Sequence, residues 1–156
     1  MGVSCIVEIK PKTGIENIYL GMTMAEVRCV WGDPEEINTF IALEEKPEER
    51  SIEWRYSNDI ELCFDSEGEF LLTNIDCYSK LTTLGGLTLI GLTPKELKFR
   101  LPEIKPNDEY QLGIDEYRHE SLGLSFWLLN GKVYYVTIYA KYSESGNEII
   151  WPEKNN

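Results

Sequence analysis

At 156 residues with 42% hydrophobic content, the chain has the mass of one ordinary domain or of two small repeats sharing a core. Its 15 Lys and Arg against 27 Asp and Glu leave a net charge of -12, a field that repels phosphate backbones and anionic lipids, so nucleic acid and membrane surface are disfavoured as ligands and a basic protein is favoured. One histidine and four cysteines without a CxxC pair rule out the usual spacings of a structural zinc site, and neither metal nor cofactor is expected.

The first residues lack a basic segment followed by a long apolar run, so no secretory signal is expected. Gly2 and Cys5 do not complete a myristoylation motif, because Ile6 stands where Ser or Thr is needed. No stretch is apolar for long enough to cross a bilayer. The expectation is a cytoplasmic protein with reduced thiols.

Residues 3–9 read as a short strand, and Pro11 to Gly14 as a turn. The segment from Ile18 to Pro34 then opens with Leu-Gly-Met-Thr, and a degraded copy of it returns from Leu89 to Leu97. Gly21 and Gly91, Thr23 and Thr93, and Glu26 and Glu96 all stand at one offset of 70 residues. In each copy the Thr is placed to cap a helix and the Glu three residues later to complete a capping box. Met24, Val27, Val30 and Trp31 give the first helix an apolar stripe, and Gly32-Asp33-Pro34 stops it.

Residues 35–50 carry six glutamates around Ile37, Phe40, Ile41 and Leu43, an acidic loop with a brief strand in it. The period then changes to two. Ile52, Trp54 and Tyr56, then Ile60, Leu62 and Phe64, alternate with polar residues, and residues 70–78 return as a third antiparallel strand. The second copy repeats this plan. Pro94 opens a helix whose inner side is expected to hold Leu97, Phe99 or Arg100, and Leu101. Residues 109–117 form a strand, Leu122, Leu124, Phe126 and Leu128 alternate along the next, and Asn130-Gly131 turns the chain into a last strand over 133–142. The organisation expected is a first repeat over 1–82, a second over 83–142 and a polar tail over 143–156, in one compact unit.

A Gly-Met-Thr helix start, a helix closing on Trp-Gly-Asp-Pro and an apolar-Trp-Arg-Tyr strand resemble the repeat shared by the beta-lactamase inhibitor protein and the small outer-membrane assembly lipoproteins of the SmpA/OmlA type. The matching residues are Leu20 to Thr23, Glu26-Val27, Gly32 to Pro34 and Trp54 to Tyr56, and the resemblance spans about residues 15–142. Two tandem copies are closer to the inhibitor. The resemblance implies an α+β fold: two helix-plus-meander repeats forming one curved antiparallel sheet, helices on one face and an open face that grips another protein.

Alternation along the strands names the residues of that open face. With Leu124, Phe126 and Leu128 inward, Trp127 points out. With Tyr134, Val136 and Ile138 inward, Tyr135 and Tyr139 point out, and the same phase in the first repeat exposes Glu61, Cys63, Asp65 and Asp76. The partner-binding set is therefore Glu61, Asp65, Asp76, Trp127, Tyr135 and Tyr139: aromatic anchors beside carboxylates, suited to a protein with basic and apolar features. Cys63 and Cys77 fall on opposite faces and are not expected to bridge. The lone imidazole, His119, sits in a polar, turn-like run and is expected to be exposed, so no catalytic residues are assigned and the chain is expected not to be an enzyme. The function expected is inhibition by occlusion, with a cytoplasmic immunity protein against a bacterial toxin such as a basic nuclease as the leading reading. A non-enzymatic scaffold subunit related to the assembly lipoproteins is the alternative.

Overall fold

The computed structural model describes residues 6–107, 114–143, 145 and 148–152. The first half of the chain runs β1 (Val7–Lys10), β2 (Gly14–Ile15), β3 (Ile18–Tyr19), α1 (Met24–Trp31), β4 (Glu36–Ile41), β5 (Arg50–Tyr56), β6 (Ile60–Asp65) and β7 (Leu72–Cys77). The second runs β8 (Thr82–Leu84), β9 (Leu87–Thr88), α2 (Pro94–Arg100), β10 (Lys105–Asn107), β11 (Ile114–His119), β12 (Leu124–Leu129) and β13 (Lys132–Tyr139). A small hairpin, β14 (Lys141–Tyr142) with β15 (Ile149–Ile150), follows.

Both helices begin as the spacing requires. Thr23 Oγ1 accepts from the Glu26 amide at 3.0 Å and the Glu26 carboxylate accepts from the Thr23 amide at 2.9 Å. Thr93 and Glu96 repeat the exchange at 3.2 Å in each direction. Each cap stabilises its helix by about 1 kcal/mol. The glycines of the repeat have a second role. Gly21 and Gly91 both sit at positive φ, 92° and 94°, a conformation that side-chain-bearing residues adopt at a cost. There the chain clips to a late strand of its own repeat: the Gly21 amide donates to Leu72 O at 2.8 Å while the Leu72 amide donates to Met22 O at 2.9 Å, and Gly91, Val133 and Leu92 make the equivalent pair at 2.9 Å each.

Two antiparallel meanders join edge to edge. The main sheet has eight strands in the order β10-β11-β12-β13-β7-β6-β5-β4, so the last strand of each half meets at the centre, Ile138 opposite Ile75. A second sheet, in the order β3-β2-β1-β8-β9, pairs β1 with β8 in parallel and so ties the start of the first half to the start of the second. Ile9, Ile15, Ile18 and Leu20 of that region belong to one core cluster with Trp54, Leu62, Phe64, Ile75, Phe126 and Ile138 of the main sheet, most of them fully buried.

This overturns the α+β architecture of one curved sheet backed by helices. Among the described residues the chain is mostly strand, in three sheets, with two α-helices of 8 and 7 residues. Each helix buries a single side chain, Val27 or Leu97. Val30, counted in the first stripe, is 40% exposed, and Phe99, counted on the inner side of the second, is 81% exposed. Short strands supply core residues that helices were expected to supply. They escape a periodicity reading because two or three residues cannot display a period.

The acidic loop holds a six-residue strand, β4, exposed along its whole length at the sheet edge. The strand read over residues 109–117 appears as β11, with 109–113 outside the described residues. The tail does more than trail away: Ile149 and Trp151 pack against the core, and the Trp151 ring covers Gly21 so closely that a Cβ there would stand 3.1 Å from it. Residues 153–156, and residues 1–5 with Cys5 and the start of the first strand, lie outside the described residues.

Candidate functional site: an acidic and aromatic sheet face

The strand register carries one row of residues across the open face of all eight strands: Lys105, Arg118, Ser125, Thr137, Asp76, Glu61, Arg55 and Glu36. At its centre Asp76 and Glu61 are direct cross-strand neighbours. Like charges so placed repel, and each lowers the other's tendency to ionise. Burial, then the nearby Glu61 and Glu53 carboxylates, push Asp76 up to about 7, with the Thr137 hydroxyl bond opposing them. Glu53, half-buried beside the pair, is raised by burial and then by Glu61. The nearest cation, Arg55, is shared at long range, 3.6 Å from Glu61 and 3.7 Å from Glu36.

A neighbouring row supplies the aromatic part. Trp127 stacks on Tyr135 with ring centroids 5.6 Å apart and planes 11° from parallel, and Tyr135 stacks on Tyr78 at 4.4 Å and 18°. Tyr134 meets Tyr78 and Tyr135 edge-on, at 5.6 and 5.9 Å. The two rows are linked: Trp127 Nε1 donates to Thr137 Oγ1 at 3.0 Å, and the Thr137 hydroxyl donates to Asp76 at 2.6 Å. Trp127, Tyr135 and Tyr78 thus form one run of three stacked rings beside the carboxylates.

Glu61, Asp76, Trp127 and Tyr135 of the expected set therefore come together. Tyr139 is on the same face, half-buried and opposite Asn74. Asp65 shares the face but is occupied at its end, accepting from Ser51 Oγ at 2.6 Å and from the Glu67 amide at 2.8 Å, where it caps a turn. Tyr134, expected inward, is half-exposed on the aromatic cluster. A bulge between Trp127 and Leu128 pairs Trp127 with Tyr135 but Leu128 with Val133, leaving Tyr134 as the extra residue and Val133 in the core. Tyr78 was not assigned, although the strand read over 70–78 puts it in phase with Asp76; the pairing of β13 with β7 is what brings it to Tyr135.

Glu116 is the other residue missed. It is 1% exposed, and its carboxylate accepts from Asn107 Nδ2 at 2.6 Å, Arg118 Nε at 2.8 Å and Ser125 Oγ at 2.6 Å, a buried acid held by three donors beside Trp127. Cys63 points to the open face, where burial and the Asp76, Glu53 and Asp65 carboxylates push its thiol up to about 12, while Cys77 is buried on the core side, so the two are free thiols on opposite faces.

His119 corrects another expectation. It is 5% exposed at the end of β11, not out in solvent. Its Nδ1 stands 3.1 Å from Ser121 Oγ and its Nε2 3.6 Å from Glu103, beside an open cavity of about 560 Å³ that Lys105 and Arg118 also line. The order Ser, His, carboxylate is present, yet the Glu103 contact exceeds hydrogen-bond length and that side chain is 77% exposed. The imidazole is held by the Ser121 hydroxyl of its own turn. Among the described residues no group of three or more His, Cys, Asp and Glu is placed to hold a metal ion, and no helix is long and apolar enough to cross a membrane.

No family model and no curated protein matches the chain. Among solved structures it is similar to a DUF4309 family protein, YjgB, from Bacillus subtilis subsp. subtilis str. 168, with 14% sequence identity, a TM-score of 0.52 and coverage of 86% of this chain and 88% of that one. At that identity the likeness is one of fold.

Proposed function

We propose that this chain is a protein-binding inhibitor whose open sheet face docks a basic partner and occludes it. The observation that carries the reading is the cross-strand pair Glu61 and Asp76 beside the Trp127, Tyr135 and Tyr78 stack. Two facing carboxylates in a partly dry site repel each other at a cost to the fold, and perturbed acids grouped in this way are a feature of functional sites. A Lys or Arg from a partner, seated between them, removes the repulsion, while the aromatic rings supply apolar contact. Net charge -12 steers such a partner to the surface. Among inhibitors the reading that agrees best with this chemistry, and with the resemblance to the beta-lactamase inhibitor repeat, is a cytoplasmic immunity protein that neutralises a basic toxin such as a nuclease, acting by occlusion and without chemistry of its own.

The test is affinity capture of the tagged protein from its own cells at low and high salt, with mass spectrometry of what is retained, run beside the Trp127→Ala, Tyr135→Ala double variant. One stoichiometric basic protein, released by salt and lost in the variant, supports the inhibitor and names its target. Several scaffold or envelope components, or no partner, overturns it and moves the chain to the scaffold reading.

A further inference from the structure

A second surface, sharing no residue with the open face, contradicts the chain's overall charge. Phe99 on α2 is 81% exposed, and beside it a groove of about 590 Å³ is lined by Leu87 and Leu92 together with Lys95, Lys98 and Arg100. The volume lies within the range of small-molecule sites. The groove's carboxylate, Glu96, is engaged in its own helix cap, accepting from the Thr93 amide and from Thr93 Oγ1 at 3.0 Å. Among the described residues none of the three cations forms an ion pair. Among the described residues of a chain with net charge -12, three cations thus stand without an ion pair around the most exposed aromatic ring.

We propose that this groove binds a single-headed amphipathic anion, a long-chain carboxylate, with its tail along Leu87, Leu92 and Phe99 and its head among Lys95, Lys98 and Arg100. The apolar floor gains by being covered, and the cations gain a counter-charge. Charge decides between occupants. An acidic protein surface or an anionic bilayer carries many negative charges, and the remainder of a -12 molecule repels them across a Debye length of about 8 Å and beyond at low salt. A ligand with one negative charge has the local attraction and the least of that repulsion.

The experiment is a titration of the isotope-labelled full chain with decanoate below its micelle concentration, followed by amide chemical shifts, with decyltrimethylammonium and phosphatidylglycerol vesicles as comparison probes. The expected result is saturable shifts confined to residues 87–100, no response to the cationic amphiphile, and a loss of affinity of about tenfold or more in Lys95→Glu with Lys98→Glu. Phe99→Ser, at an exposed position that the fold does not need, should also weaken binding. Absence of saturable decanoate shifts, an equal response to decyltrimethylammonium, or binding to the vesicles without binding decanoate overturns the proposal.

Discussion

Glu61 on β6 and Asp76 on β7 stand directly opposite each other at the centre of the eight-stranded sheet, and the Thr137 hydroxyl donates to Asp76 at 2.6 Å. One donor does not offset burial and two neighbouring carboxylates, so the Asp76 carboxyl is held up at about 7 against an ordinary 3.8. The folded chain therefore keeps a proton between about pH 4 and 7 that the unfolded chain has already released. Stability contributed by this group is present at the acid end of that window and is lost as pH rises through it.

Asp76→Asn should remove that loss. Asparagine keeps an oxygen to accept from Thr137 and carries no charge, so the variant should match the parent near pH 4 and exceed it at pH 8, by an amount on the order of 2–4 kcal/mol. Thermal unfolding of the two proteins across that range checks it; parallel stability curves would mean that Asp76 ionises normally. A variant that is more stable and binds its partner less well is the trade expected of a functional position.

Thr137→Val removes the hydroxyl that joins Trp127 to Asp76 without changing shape. Since that hydroxyl bond lowers the Asp76 value, its loss should raise the titration midpoint further and cost about 1–3 kcal/mol of stability. Carboxyl resonances followed against pH, together with denaturant unfolding, read both effects.

Alternation along the strands was enough to place Glu61, Cys63, Asp76, Trp127, Tyr135 and Tyr139 on one face, because register and phase are properties of sequence wherever one face is buried. The capping boxes were legible for a similar reason: Thr23 with Glu26 and Thr93 with Glu96 need only local spacing. What escaped depended on non-local facts. Tyr134 was misplaced by a bulge that shows only in how β12 pairs with β13. Tyr78 reaches the aromatic stack through the pairing of two strands that lie about sixty residues apart in sequence. Glu116 and His119 are polar residues in polar surroundings, and what buries them is β10 and the turn after β11, which alternation does not encode. The second sheet was missed because its strands are two to four residues long.

Glu116→Ala should be among the most damaging single changes on the open side of the sheet. It deletes the acceptor of three hydrogen bonds and leaves Arg118 without the carboxylate it contacts at 2.8 Å. Breaking a buried pair by removing one member typically costs about 3–5 kcal/mol, and the partial exposure of Arg118 sets the expectation at the lower end. Urea unfolding at pH 7 measures it; a cost below about 1 kcal/mol would mean that water replaces the carboxylate.

The thiols should separate by reactivity. Cys63 is pushed up to about 12 and half-buried, and Cys77 is buried in the core, whereas Cys29 is exposed on α1. At pH 8 iodoacetamide should modify Cys29 in the folded protein and leave Cys63 and Cys77 unmodified until denaturant is added, because the thiolate is the reactive form and neither can supply it. Peptide mapping by mass spectrometry assigns the sites. Rapid folded-state labelling of Cys63 would show that its thiol is more open to solvent than its burial between the carboxylates implies.

Substitution can tell the two kinds of carboxylate on the open face apart. Asp65 is committed to Ser51 and to the amide of Glu67, so Asp65→Ala should lower stability by about 1 kcal/mol, as for loss of a cap, while hardly changing partner association. Glu61→Lys places a cation opposite Asp76 instead of a second anion, while opposing Arg55 with a like charge; it should lower the Asp76 titration midpoint and slow association with a basic partner by tenfold or more at low salt, with the difference shrinking as salt is added. Stopped-flow association with the captured partner at two ionic strengths, beside unfolding of each variant, separates the outcomes. If Asp65→Ala slowed association as much as Glu61→Lys, the interface would centre on the end of β6 rather than on the facing pair. If neither changed it, the partner would bind elsewhere on the chain.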